Sequence, residues 1–272
     1  MTEIKHDELT ALVDDILKIS QQAGEKILDI YETNFSVSNK DDNSPLTAAD
    51  VAAHKTICAG LTQLTPDTPI LSEESAEVSF ETRKQWKQYW LVDPLDGTRE
   101  FIKRNGEFSV NIALIENHKS IMGVIHIPVK KESYTATLNN GSYKYDETNN
   151  KNKITIKQTD SRNITIAGSR SHANPKLKSF INRLDEAEVL SIGSSLKFCL
   201  VAEGKADIYP RFGPTSEWDT AAAQCIVEEA GGLVVDTAFK PLMYNTKDSL
   251  LNPAFIVIAD QNFDWKPYLK DL

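Results

Sequence analysis

Apolar residues recur at helical spacing from the start of the chain. Leu9, Leu12, Val13, Ile16, Leu17, Ala23, Ile27 and Leu28 fall on one face of a long amphipathic helix. The pattern predicts a second helix from about Thr47 that turns Ala52, Ile57, Leu61 and Leu64 inward and stops before Pro66. PILSEES, 69–75, reads as a strand running into an acidic end, and QYWLV, 88–92, as a short buried strand. Asp93 is expected at the end of that strand, with Pro94 turning the chain and Asp96 and Thr98 on the same turn. From 107 to 145 the period changes. FSVNIALIE, SIMGVIHIP, ESYTATL and SYKYD are apolar or alternating runs broken by turns such as NNG, the pattern of an antiparallel meander. The polar tract TNNKNK, 148–153, is the best internal boundary. Beyond about 160, strands alternate with helices: ITIAGS, NPKLKSFINRL, EVLSI, SSLKFCLVAEG, ADIYP, DTAAAQCIVEEAGG, LVVD and FIVIA. That order predicts a layered α/β half.

Composition narrows the class. With 272 residues the chain can bury a sizeable core, as one large domain or two intimate lobes. A net charge of −9 argues against nucleic-acid or polybasic membrane binding. Three widely spaced cysteines, Cys58, Cys199 and Cys225, show no metal-thiolate pattern and suit a reducing compartment. The charged N-terminus is not a secretory signal, and no apolar run approaches membrane-spanning length. A cytoplasmic location is expected.

Four separated segments place carboxylates at structural breaks: Asp50 in PLTAAD, Glu73 and Glu74 in LSEES, Asp93 and Asp96 in DPLDGT, and Asp219 in EWDTAAA. Each has an ordinary explanation. Asp50 follows Thr47 at capping-box spacing, Asp219 stands where an N-cap would, Glu73 and Glu74 can be solvated, and Asp96-Gly97 is a common turn pair. DPLDGT is different, because a turn needs neither a second Asp nor a Thr. Carboxylates gathered on a stiff turn suit hard cations such as Mg²⁺, and a neighbouring hydroxyl can position a water. Other chemistries fit poorly. The spacing is D-x-x-D-G-T rather than the D-x-D-x-T of aspartyl-phosphate phosphatases, and there is no G-x-x-x-x-G-K-[ST], G-x-S-x-G or H-x-x-x-H.

Together, SEES (72–75), DPLDGT (93–98) and WDTAAAQCIVEEAGG (218–232) resemble the inositol monophosphatase superfamily of Mg²⁺-dependent, Li⁺-sensitive phosphatases. Within it the chain is most similar to the 3′(2′),5′-bisphosphate nucleotidase branch. The segments that carry this are KDDNSPLTAADVAAH (40–54), DGTREFIKRNGEFSVNIALI (96–115), AGSRSH (167–172), GSSLKFCLVAEGKADIYPRFGPTSEWD (193–219) and LNPAFIV (251–257). The resemblance implies one α/β layered domain over 1–272, an α/β/α/β/α sandwich with mixed and antiparallel sheets. Its lobes would be 1–150, carrying the metals, and 151–272, carrying Asp219 and most substrate contacts. It implies hydrolysis of adenosine 3′,5′-bisphosphate, a by-product of sulfate assimilation, to AMP and phosphate by direct attack of water.

The resemblance also implies roles. Glu73, Asp93 and the Leu95 carbonyl would hold one Mg²⁺; Asp93, Asp96 and Asp219 a second; Glu73 would face a third, weaker site. Thr98 would bond the attacking water and Asp50 would accept from Thr98, while Gly97 and Thr98 offer N–H groups to the phosphate. Lys197 and Arg211 would read the second phosphate, with Gly193 and Ser194 approaching the ligand and Ser169, Arg170 and His172 near the nucleotide. The ordinary alternative for Lys197 is a solvated helix lysine. Arg99, Lys103 and Arg104 are either a local field or a surface cluster, with Arg104 the most surface-like. Lys40 would close on substrate. Ala223 and Gln224 depart from the small-residue pattern without touching a proposed ligand. The rival readings are an inositol monophosphatase or other sugar-phosphate phosphatase, and a phosphonucleotide sensor without turnover. Any membrane attachment would be peripheral.

Overall fold

The computed structural model describes residues 3–33, 37–39, 45–169, 175–184 and 186–270. The elements run α1 (Leu9–Tyr31), β1 (Val37–Asn39), β2 (Pro45–Thr47), α2 (Ala48–Leu64), β3 (Ile70–Ser72), α3 (Phe80–Arg83), β4 (Gln88–Asp96), α4 (Thr98–Ile102), β5 (Ser109–Glu116), β6 (Lys119–Ile127), β7 (Glu132–Thr137), β8 (Ser142–Tyr145) and β9 (Lys151–Ile154). They continue with β10 (Ile164–Ser169), α5 (Pro175–Ile181), β11 (Ala187–Ile192), α6 (Leu196–Ala202), β12 (Ile208–Arg211), α7 (Glu217–Glu229), β13 (Leu233–Asp236), β14 (Phe255–Ile258) and α8 (Lys266–Leu269). A 3-10 turn, Glu73–Ser75, follows β3.

Two large sheets organise the chain. The first has seven strands in sequence order from β3 to β9, antiparallel except where β3 runs parallel to β4. The second has five strands in the order β11-β10-β12-β14-β13, with parallel and antiparallel pairs. Alternating side chains assign the layers. Trp90, Val92, Ile112, Leu114, Met122 and Val124 pack with α1 and α2 on one face of the first sheet. Their neighbours Tyr89, Leu91, Ala113, Ile115 and Ile125 face the other way, into a core shared with α6, α7, Tyr209, Phe255 and Val257. The far face of the second sheet, including Ile166, Ile208 and Ile256, is covered by Phe180 of α5 and by Trp265 beside α8. The order is therefore α/β/α/β/α, and the stretch YWLV of β4 is an unbroken apolar run because both faces of the strand are covered.

Several expectations need correction. Strand β4 does not stop at Asp93; it runs through Pro94 to Asp96. Asp93 pairs with Asn111 and Asp96 with Ser109, so one extra residue sits on β4 between them, a bulge. A bulge is one of the few places where a strand tolerates proline, whose missing N–H costs the ladder nothing there. Helix α2 turns Ala49, Ala53, Ile57 and Leu61 inward, whereas Ala52 is half-buried and Leu64 exposed. Thr47 caps the helix in a capping box with Asp50, as their spacing predicts, so Ile57 and Leu61 face inward as expected and only the two ends of the predicted stripe differ. The tract 148–153 is not a boundary loop; its end forms β9, and the first sheet runs to Ile154.

Helix α7 lies between the sheets, against β5 and β6. A Cβ at Gly123 of β6 would sit 2.1 Å from the Ala222 carbonyl oxygen, so this crossing demands a glycine. The small run Ala221–Ala223 completes the close fit, and it brings the first turn of α7 over the end of β4.

Candidate active site

Each acidic residue is set by a local device. Thr47 caps α2, and Asp50 in its first turn accepts from the Thr47 N–H (2.7 Å) and hydroxyl (2.6 Å) through Oδ2. Its Oδ1 faces the Thr98 hydroxyl at 3.3 Å. That hydroxyl also lies 3.3 Å from the Leu95 carbonyl oxygen, so it is held between the two acceptors. Asp93 accepts from the Leu95 N–H across the bulge (3.1 Å). Asp219 is not the N-cap of α7: Ser216 is, and Asp219 sits three residues on and accepts from the Ser216 N–H (2.9 Å). Gly97, with φ of +94°, lets the chain leave β4 and enter α4 directly.

The oxygens of Asp93, Asp96 and Asp219 converge to within 4.8 Å of one another, and Asp93 is only 1% exposed. Burial first, then repulsion from Glu73, Asp96 and Asp219, holds the Asp93 carboxyl well above the usual carboxylate range. Burial, with Asp96 and Glu73 nearby, pushes Asp219 up to about 8. Asp96 is pushed by burial to about 6, with Lys197 and the Ser195 N–H pulling the other way. Crowded, buried carboxylates of this kind are short of positive charge, and an all-oxygen set suits Mg²⁺. Glu73 opens the 3-10 turn beside them, and Leu95 lines the same cavity.

A cavity of about 770 Å³ gathers most of the residues singled out from the sequence: Glu73, Asp93, Leu95, Asp96, Gly97 and Thr98 on one side of the chain, and Gly193, Ser194, Lys197, Arg211 and Asp219 on the other. Lys197 is not a solvated lysine; it is 5% exposed. It donates to the carbonyl oxygens of Ser194 (2.5 Å) and Ile192 (3.4 Å), and lies 5.4 Å from the Tyr209 ring. Burial lowers its ammonium to about 8, opposed by Asp96 and assisted by Arg211. Arg211 donates through Nη2 to the Pro214 carbonyl (3.0 Å). Its Nε and the Ser194 hydroxyl are buried with no hydrogen-bond partner among the described residues. Ser194 adopts φ of +45° in the turn before α6, and a Cβ on Gly97 would lie 3.2 Å from its Cβ, so the two turns touch. The Gly193 N–H is taken by Glu107 Oε2 at 2.8 Å.

The remaining candidates divide. Arg99 is on the cavity wall. Arg104 instead donates to the carbonyl oxygens of Tyr31 (2.6 Å) and Thr33 and packs over the Tyr31 ring. Gln224 is buried and bonded to Tyr244 and Glu228. Lys40, Arg170, His172 and the side chain of Ser169 lie outside the described residues. Sequence reasoning missed the apolar wall formed by Pro175, Leu177, Tyr209, Phe212 and Phe255. It also missed Ser109, Asn111 and Ser195, which surround Asp96. Ser109 and Asn111, two polar residues at alternate positions of an otherwise apolar strand, were the available signal.

The inositol monophosphatase family model matches residues 9–263. The chain belongs to that family. Among members, it is 49% identical over 248 residues to the 3′(2′),5′-bisphosphate nucleotidase CysQ of Escherichia coli (strain K12), covering 90% of this chain and 99% of that protein. It is 40% identical to the corresponding CysQ of Haemophilus influenzae, covering 94% and 95% of the two chains. The crystal structure of CysQ from Bacteroides thetaiotaomicron, a bacterial member of the family, superposes with a TM-score of 0.81 at 43% identity, covering 93% of this chain and 98% of that one.

Proposed function

We propose that this protein is a Mg²⁺-dependent 3′(2′),5′-bisphosphate nucleotidase that hydrolyses adenosine 3′,5′-bisphosphate to AMP and phosphate in sulfur metabolism. One observation carries the reading: the cavity that holds the convergent carboxylates also holds Lys197 and Arg211, together with a buried Ser194 hydroxyl that has no partner among the described residues. A substrate with one phosphate has little need of the cationic pair, whereas a bisphosphate presents a second anion to it. The likeness to the CysQ relatives supports the same choice.

In this reading Glu73, Asp93, Asp96, Asp219 and the Leu95 carbonyl hold two or more Mg²⁺ ions. Bound there, the metal supplies charge neutralisation on the phosphate and acidifies a water. Thr98, its proton directed at Asp50 Oδ1 and the Leu95 carbonyl, keeps its lone pairs for a hydrogen bond from the attacking water, and Asp50 is the adjoining proton acceptor. Gly97 and Thr98 contribute backbone N–H groups to the reacting phosphate. Lys197, Arg211 and the Ser194 hydroxyl receive the other phosphate, and Gly193, whose N–H is held by Glu107, shapes the turn that carries Ser194. Li⁺ is expected to inhibit. The two lobes act as one domain in the cytoplasm. No helix among the described residues is long and apolar enough to cross a membrane.

The test is phosphate release with Mg²⁺ from adenosine 3′,5′-bisphosphate, inositol 1-phosphate and fructose 1,6-bisphosphate at matched concentration, with and without Li⁺. A strong preference for the adenosine compound, suppressed by Li⁺, is expected. Preference for either sugar compound overturns the roles given to Lys197 and Arg211. Turnover indifferent to Mg²⁺ overturns the whole assignment.

A further inference from the structure

Asp96 is the acidic residue of the cluster held from both halves of the molecule. Its Oδ2 accepts from the Ser195 N–H, at the turn before α6, and faces Asn111 Nδ2 of β5 at 3.5 Å. No donor among the described residues reaches Oδ1. Turning the Asn111 amide over would set its oxygen against the Asp96 carboxylate; as placed, Oδ1 accepts from the Ser195 hydroxyl (3.0 Å) and lies 3.2 Å from the Ser109 hydroxyl. The two hydroxyls are themselves 2.8 Å apart. A hydroxyl can donate or accept, whereas an ionised carboxylate only accepts, so the NH₂ end of the amide points at Asp96. All three residues are buried. The bulge explains why they meet: it sets Asp93 opposite Asn111 and Asp96 opposite Ser109.

We propose that Asn111 and Ser195 are positioning residues for the metal-binding carboxylate of Asp96, holding Oδ2 so that Oδ1 is presented to the cation. Ser195 belongs to the same turn as Gly193 and Ser194, so the carboxylate is aligned only when the turn proposed to meet the substrate's second phosphate is in place. The inference rests on the metal-binding reading given above. Its closest physical parallel is the hydrogen-bonded support of ligating groups in metal sites generally, whose removal weakens metal binding by about 10- to 100-fold.

The test is calorimetric titration of the metal-free protein with Mg²⁺, using wild type, Asn111→Leu and Ser195→Ala. Leucine keeps the volume and removes the donor. Asn111→Leu is expected to weaken Mg²⁺ binding about 10- to 100-fold. Its kcat is expected to recover at high Mg²⁺, with KM for adenosine 3′,5′-bisphosphate then within about twofold of wild type, since the substrate groups are untouched. Ser195→Ala keeps the N–H but frees the amide, so a smaller weakening, about 3- to 10-fold, is expected. Wild-type Mg²⁺ affinity in both variants, even with a lowered melting temperature, overturns the proposal and leaves the network a structural one. If Asn111→Leu does not fold, Ser195→Ala decides alone. Failure of the wild type to bind Mg²⁺ would instead overturn the metal reading beneath it.

Discussion

Two helices of this protein begin in the same way and serve the cavity differently. Helix α2 opens with Thr47 and Asp50, helix α7 with Ser216 and Asp219, and in both the aspartate accepts from the capping residue's N–H. A helix start fixes the direction of a carboxylate at this position, so one oxygen is spent on the cap and the other is aimed. What each meets is different. Asp50 meets the Thr98 hydroxyl. Asp219 meets Asp93 and Asp96. The ordinary reading of an aspartate as a cap and the functional reading are therefore not rivals here, because one side chain does both. A capping box makes a carboxylate precise, and only its tertiary neighbours make it a metal ligand or a hydrogen-bond acceptor.

The comparison can be broken most severely by neutralising each aspartate while keeping its cap. Asparagine retains an oxygen for the N-cap N–H, so both variants should fold. Asp219→Asn is expected to lower kcat/KM by about 10³-fold or more, as loss of a metal-binding charge worth several kcal/mol requires. Asp50→Asn, which only impairs the acceptor behind Thr98, is expected to cost about 10²-fold. Steady-state assays over a Mg²⁺ series check both, and equal losses with equal Mg²⁺ dependence would erase the distinction.

A second approach moves one helix start and leaves the other. Gly123→Ala puts a methyl into the Ala222 carbonyl, so α7 must shift while α2 stays. Overpacking of this kind typically costs about 1–3 kcal/mol. Denaturant unfolding should show that loss, and activity should fall further than stability alone explains, because Asp219 is displaced from Asp93 and Asp96.

The smallest effect is a dependence of stability on pH. Asp219 is raised to about 8 in the fold, from a carboxylate value near 3.8 in the open chain. A carboxyl with a raised folded pKa stabilises the fold below its unfolded pKa and loses that contribution as pH rises through the folded one. The metal-free protein should therefore lose melting temperature between about pH 6.5 and pH 8. Glu217, raised by burial to about 7, adds to the loss with the same sign. His126, lowered by burial to about 4, has the opposite sign up to its ordinary value of 6.5, the lower edge of this window, and Lys197 acts above about 8. Thermal unfolding in chelator checks the slope, which Asp219→Asn should flatten and Asp50→Asn should not. Saturating Mg²⁺ should reduce it in the wild type.

Much of the fold could be read along the chain. The long first helix, the meander and the strand–helix alternation after 160 all follow from hydrophobic period, which reports burial directly. DPLDGT was legible as an unusual turn because its second aspartate and threonine exceed what a turn needs. The course of β4 through Pro94 was not, because a proline marks a break unless a partner strand supplies a bulge, and that partner, β5, lies across the sheet. Lys197 was ambiguous for a similar reason: a lysine in a short helix is solvated by default, and only the packing of α6 among Tyr209, Phe255 and α7 buries it.

By itself, then, the amino-acid sequence determined most of the elements, a layered α/β class and which carboxylates stand at structural breaks, since propensity, period and capping act over a few residues. Only the tertiary structure decided which oxygens converge, which charges are buried, and that Ser109, Asn111 and Ser195 close around Asp96. Those are matters of contact between segments about 80 to 130 residues apart, and desolvation at such contacts, which shifts the carboxylates and Lys197, depends on what covers a group rather than on what flanks it in the chain.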